Sequence, residues 1–269
     1  MATLYNDKMA LVFDEMYQVF INYDEEFEFY NRFIIEYNCS HILEIGCGTG
    51  NLAKRFIENN YNYLGLDFSQ SMIKIAQKRN KKGDFLTADM RSFSSKKQDS
   101  ILITGRTTSY IITNKDLDDT FKSVYENLDD NGIFVFDFID ANRYIPFILT
   151  NNDITHKALI NNKQYIRIGN WIQTPNSENF MLDWSAQYYE IIENEKKLIS
   201  DDFSTVRVFT LNEIEIFLYK NGFEILKTID RKTYAYDTYV IVAKKSWVKI
   251  QDFSFMFLWF TNKKTINHS

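Results

Sequence analysis

The chain has 269 residues, 45% hydrophobic and 16% aromatic, with a formal net charge of -5. That is enough apolar side chain for one full α/β domain plus an insertion, while the acidic balance and the absence of a long basic run disfavour a nucleic-acid partner. Two cysteines and three histidines show neither a disulfide framework nor metal-ligand spacing, so no metal is expected.

Residues 1–38 are rich in aromatic and acidic side chains. Met9, Phe13, Met16, Tyr17 and Phe20 recur near helical spacing, which predicts a helical lid ahead of the sheet. The first twenty residues contain Asp7, Asp14 and Glu15 and lack a continuous apolar stretch. That argues against a signal peptide and for a cytoplasmic location. Ile42, Leu43 and Ile45 then predict a buried strand, Gly46 to Gly50 a tight turn, and 51–59 a helix leaving it. Glycines let the backbone bend and let a ligand approach the main chain, and the helix start offers unpaired N–H groups. Such a unit is a nucleotide-type pocket at the carboxyl edge of a parallel sheet. The spacing is G-x-G-x-G, with Asn51 where the dinucleotide fingerprint needs its third glycine. Glu44, just before the first glycine, repels phosphate and suits a ligand carrying positive charge, such as an ammonium or a sulfonium.

A second strand over 61–67 ends in Asp67, about 20 residues past the first glycine, where a carboxylate can grip a ribose diol. Ser69 caps a helix over 70–80 with Met72, Ile73 and Ala76 on one face. Strand 84–88 leads into Asp89 and Met90. Strand 100–105 passes Thr104 into a loop from Gly105 to Tyr110, whose Arg106 can clamp an anionic substrate or pair within the lid. Helix 116–128 and strand 132–138 follow. This alternation predicts a doubly wound, mostly parallel sheet. Residues 141–209 alternate instead, at 164–171, 180–192 and 198–207, predicting an antiparallel β insertion that serves as a substrate lid or a dimer element. Thr210 caps a helix carrying Leu211, Ile214, Phe217 and Leu218, which ends at Asn221-Gly222. Segments 223–230 and 236–243 close the sheet. The tail, 245–269, holds an aromatic run at 253–260 that is too short to span a bilayer; it is expected to pack on protein.

The run from Ile42 to Gly50, with Asp67 and Asp89 downstream, resembles the class I S-adenosylmethionine-dependent methyltransferases. The resemblance implies a Rossmann-like sheet of seven strands, the last antiparallel, with 1–140 and 210–244 as the core. It implies S-adenosylmethionine (SAM) as cofactor and S-adenosylhomocysteine as product. Glu44, Gly46, Cys47, Gly48, Gly50, Asn51 and Leu52 would form the turn that receives it. Asp67 would hold both ribose hydroxyls, with Phe68 and Met72 beside the adenosine. Asp89 would meet the adenine amino group, Met90 its ring, and Thr104 the sulfonium end.

Within that superfamily, Phe13 to Tyr17, Ala88 to Arg91, Ser109-Tyr110 and Val206 to Thr210 are similar to small-molecule N-methyltransferases acting on amino-sugar nucleotides, and to their glycine and sarcosine relatives. That likeness implies a small-molecule acceptor, Arg106 and Tyr110 on its side of the site, and Tyr17 as a catalytic residue. The basic, glycine-containing segment of the amino-sugar enzymes is replaced here by Ile21 to Glu26. A neutral amine needs no strong base in the transfer step, whereas a hydroxyl does. None of His41, His156 and His268 sits in a recognisable dyad, which tilts the expectation toward an amine nitrogen. The alternatives are O-methylation of a hydroxyl or carboxylate, and SAM binding without turnover.

Overall fold

The computed structural model describes residues 7–151, 153–174, 179–233 and 237–246; the aromatic run at 253–260 and His268 lie outside them. Two helices lead, α1 (Asp7–Phe20) and α2 (Tyr23–Glu36). Asn22 caps α2 by accepting from the N–H groups of Asp24 and Glu25, and the acids of that first turn favour the positive end of the helix dipole. The core unit then alternates: β1 (His41–Ile45), α3 (Asn51–Glu58), β2 (Asn62–Asp67), α4 (Gln70–Arg79), β3 (Asp84–Thr87), β4 (Gln98–Ile103), a 3-10 turn (Thr107–Tyr110), α5 (Asn114–Asn127) and β5 (Leu128–Ile139). After the insertion come α7 (Leu211–Lys220), β10 (Phe223–Arg231) and β11 (Thr238–Lys245). The Thr210 hydroxyl caps α7 at the Glu213 N–H (3.3 Å), as its sequence predicts.

The seven strands lie in the order β10-β11-β5-β4-β1-β2-β3. The pairings among β1 to β5 are parallel, and β11 runs antiparallel to both of its neighbours. The expected doubly wound sheet with a reversed last strand is therefore the observed one. Both faces of the central strands are buried, so they are apolar on both sides. Phe134, Phe136 and Phe138 of β5 pack with Phe121 and Phe223 on one face; Ile133 and Val135 pack with the α2 side on the other. Strand order reverses between β1 and β4, and a crevice for ligand opens at the carboxyl ends of the strands at such a point.

The insertion departs from its predicted form at its start. Its first ten residues are a helix, α6 (Ala141–Thr150), with Asp140 as its N-cap. Tyr144 and Ile148, four residues apart, bury one face. Pro146 inside it removes one backbone donor, which weakens the helical signal. Four antiparallel strands follow in order: β6 (Asp153–Ile160), β7 (Lys163–Gln173), β8 (Met181–Ile192) and β9 (Glu195–Arg207). The first of these carries mixed polar and apolar residues and was not legible as a strand. Tyr165, Trp171, Leu182, Trp184 and Tyr188 of this sheet cluster with Met16 of α1 and Tyr144 of α6. The insertion is thus docked against the N-terminal helix.

Candidate functional site

The glycine turn joins β1 to α3 at the reversal point. Gly46, Gly48 and Gly50 all have left-handed φ, at 75°, 53° and 75°. The turn is stitched to β2: the N–H groups of Gly46 (2.7 Å) and Cys47 (3.0 Å) donate to the Leu66 carbonyl. A side chain at Gly46 would run into Thr107, at 2.4 Å, whereas nothing lies within 4 Å of where one would stand on Gly48. The turn is therefore tight against the protein at its first glycine and open at its second. Asp67, at the tip of β2, points back at this opening. Its Oδ2 accepts from the Gly48 N–H (2.9 Å) and its Oδ1 from the Ser69 N–H (2.8 Å). Each carboxylate oxygen keeps a free lone pair, so the acid is both fixed and available. Burial raises its pKa, and the two backbone donors oppose that shift. Phe68, beside it, is 57% exposed, so its ring is open to a ligand held by Asp67.

Glu44 lies beneath the turn. Tyr63 donates to its Oε2, and Thr104 donates to its Oε1 (2.8 Å). Burial pushes its pKa up to about 7, against the lowering effect of those hydroxyls. The group is an acid held partly protonated at neutral pH, which a cation placed above it would ionise. A stability consequence follows. The folded protein keeps this proton between about pH 4.5 and 7 while the unfolded chain has lost it, so stability falls as pH rises through that window. The fall is roughly 3 kcal/mol at 1.36 kcal/mol per unit. Glu44→Gln lacks it. Urea titrations from pH 4.5 to 7.5 are expected to show the variant gaining on the parent by about that amount; a constant gap would mean that Glu44 ionises as an ordinary carboxylate.

The other predicted residues divide. Leu52 and Met72 are buried, and Leu52 packs into the core with α2, so its contribution to a ligand is confined to its N–H in the first turn of α3. Cys47 is buried, with its thiol pKa raised by burial. Met90 is partly buried against the main core. Asp89 is held by Arg91, whose Nε (2.9 Å) and Nη2 (2.6 Å) donate to its two oxygens, while Arg91 Nη1 reaches Asp116 (3.0 Å). These contacts keep the Asp89 pKa low; an adenine amino group would share the carboxylate with the guanidinium. Arg106 has left-handed φ (66°). Its N–H donates to Asp137 and its Nη2 to Thr233 (2.8 Å), so the side chain ties the loop to the β10–β11 connection. Tyr110 is 44% exposed at the end of the 3-10 turn.

Comparison with known proteins bears on this geometry. A family profile described as "methyltransferase domain" matches residues 42–132, from β1 to the start of β5. Residues 42–132 thus match a methyltransferase domain. A Bacillus subtilis protein described as "Putative methyltransferase YqeM" is 34% identical over 101 residues, 36% of this chain and 41% of its own length. The chain thus spans under half of that relative. Among solved structures, a SAM-dependent methyltransferase from Clostridium acetobutylicum superposes with a TM-score of 0.71 at 20% identity, covering 89% of this chain and 98% of that one. The sugar N-methyltransferase KedS8 from Streptoalloteichus gives 0.70 at 16% identity, covering 83% and 89%. At these identities the structural likeness establishes the fold. SAM is the cofactor of such a domain, and the open Gly48 face, the fixed Asp67 and the acid beneath the turn fit an adenosyl group carrying a sulfonium.

One part of the candidate site carries no signal in the sequence. Asp14 of α1, 4% exposed, sits on the glycine turn. Its Oδ1 accepts from Thr49 Oγ1, Asn51 Nδ2 (2.9 Å) and Arg79 Nη1 (3.0 Å), and its Oδ2 from Arg79 Nη2. Arg79 Nη1 also donates to the Thr49 carbonyl, and Asn80 Nδ2 to the Gly50 carbonyl (2.9 Å). The end of α4 and the middle of α1 therefore grip the turn from two sides. One helical turn further along α1, the Tyr17 hydroxyl accepts from Arg167 Nη1 of β7 (3.1 Å). Helix α1 thus spans from the glycine turn to the inserted sheet. Among the described residues no helix is long and apolar enough to cross a membrane.

Proposed function

We propose that this protein transfers the methyl group of SAM to a neutral amine on a small molecule, in the space between the glycine turn, α1 and the lid. The observation that carries the amine reading is the state of His156. Its Nδ1 accepts from Arg167 Nη2 (3.0 Å), and burial with the neighbouring guanidinium lowers its pKa to about 4. It is therefore too weak a base to deprotonate a hydroxyl, yet an amine already neutral needs none. The likeness to a sugar N-methyltransferase supports the same choice. When bound, SAM supplies an activated methyl on a good leaving group. The chain's own residues then position and desolvate. Asp67 orients the ribose, with Phe68 closing over the adenosine. Glu44 answers the positive end. Tyr17, half-buried and held by Arg167, directs the acceptor nitrogen.

Incubation with methyl-labelled SAM and matched sets of primary amines and alcohols tests this; label is expected in the amines, and transfer confined to alcohols would reverse the assignment. Tyr17→Phe is expected to lower kcat at least tenfold, at the lower end of what one positioned polar group contributes, while leaving SAM affinity within about twofold. Unaltered turnover in that variant would take Tyr17 out of the reaction.

A further inference from the structure

The lid holds a charge that the protein does not balance. Arg167 is 9% exposed, on β7 facing α1. Its Nη1 donates to Tyr17 and its Nη2 to His156. Its Nε is buried without a hydrogen-bond partner. Among the described residues no carboxylate lies within ion-pair distance of it, whereas Arg207, the other buried arginine, meets Glu213. The groups around it are aromatic or neutral. Tyr17, Phe20 and Trp184 rings lie 5.6, 5.9 and 5.6 Å from its central carbon. The Tyr188 hydroxyl lies within hydrogen-bonding reach of the guanidinium as a third neutral partner, and Asp202 of β9 acts on that tyrosine. His156 stays uncharged at neutral pH, so it neither repels nor compensates. Ring faces and neutral acceptors offset only part of the cost of burying a cation. A buried guanidinium with an idle Nε–H, flanked by a further N–H on the same edge, is half of a bidentate carboxylate clamp.

We propose that Arg167 binds a carboxylate carried by the methyl acceptor, so that the substrate is an amine bearing one negative charge and an apolar or aromatic body. This rests on the methyltransferase reading above and adds the acceptor's class. A single guanidinium matches one carboxylate better than a phosphate dianion. The aromatic walls favour a body that buries flat apolar surface. Tyr17, shared between α1 and Arg167, places the anion beside the group proposed to direct the nitrogen.

The test uses the full chain saturated with S-adenosylhomocysteine. Calorimetric titration with phenylacetate is expected to show saturable binding in the millimolar range, and benzylamine, which has no anion, is expected to bind at least tenfold more weakly. Arg167→Met is expected to weaken phenylacetate at least tenfold while changing S-adenosylhomocysteine affinity less than twofold. Without ligand it is expected to melt at the same temperature as the parent or higher, since an unbalanced buried charge is gone. Arg167→Lys keeps the charge and loses the fork; it is expected to fold and to bind phenylacetate at least threefold more weakly. Equal phenylacetate binding by parent and both variants would overturn the proposal. So would a lower melting temperature of Arg167→Met combined with no phenylacetate binding by the parent, which would make the residue structural. Tighter binding of phenyl phosphate than of phenylacetate would overturn the carboxylate. Phenylacetate binding through Arg167 without any S-adenosylhomocysteine binding would support the anion site and count against the cofactor reading, so the two fail separately.

Discussion

Asp14→Ala is expected to destabilise the protein by about 3 kcal/mol, the lower end of what breaking a buried ion pair costs, because the Arg79 side chain keeps 19% exposure. The loss has several parts. Arg79 is left facing the Thr49 carbonyl with its counter-ion gone, and Thr49 and Asn51 each lose an acceptor in a buried setting. For a chain of this length that corresponds to a drop of roughly 5 °C in melting temperature, readable by circular dichroism. The same change frees α1 from the glycine turn, so S-adenosylhomocysteine affinity is expected to fall as well. Asp14→Asn keeps one oxygen for Thr49 and loses the charge, and is expected to lie between. Parent-like melting of both variants would mean that the Asp14–Arg79 pair contributes nothing net.

Asp67→Ala is expected to weaken S-adenosylhomocysteine by about 1–3 kcal/mol, the range for removing a charged hydrogen-bonding group, or roughly 5- to 150-fold in Kd. Two effects add. The ribose would lose its acceptor, and the Gly48 and Ser69 N–H groups lose theirs, so the open face of the turn is no longer held in shape. Asp67→Asn retains one carbonyl oxygen and is expected to recover part of the loss. Calorimetry on protein shown to be folded separates this from instability. Unchanged affinity in Asp67→Ala would remove that residue from the cofactor site.

Much of the fold was legible because its signals are local. The apolar run 42–45, the three glycines and the acid closing β2 lie within one strand–turn–helix–strand stretch, and each dictates its own geometry. The antiparallel pairing of β10 with β11 was readable as a hairpin-like pair of segments, whereas the reversal of β11 against the parallel strands came with the resemblance. What escaped was non-local or masked. Asp14 and Arg79 are 65 residues apart, and nothing in either segment marks them as partners. Arg167 looks like any alternating strand residue until α1 is seen to cover it. Helix α6 was hidden by Pro146 and by the β alternation that follows. The partners that Asp89 and Arg106 already have, Arg91 for one and Thr233 for the other, were equally illegible in their residue type and position.

The sheet order has a consequence for how the chain is made. Strand β11, residues 238–245, lies between β5 and β10, both of which precede it. During synthesis those two strands emerge first and wait, each with an open hydrogen-bonding edge, until the intervening strand leaves the ribosome. A chain cut anywhere before residue 238 would present β5, with its row of phenylalanines, as an unguarded edge. Such fragments are expected to aggregate rather than fold, and the quality of the finished protein rests on the prompt arrival of eight late residues.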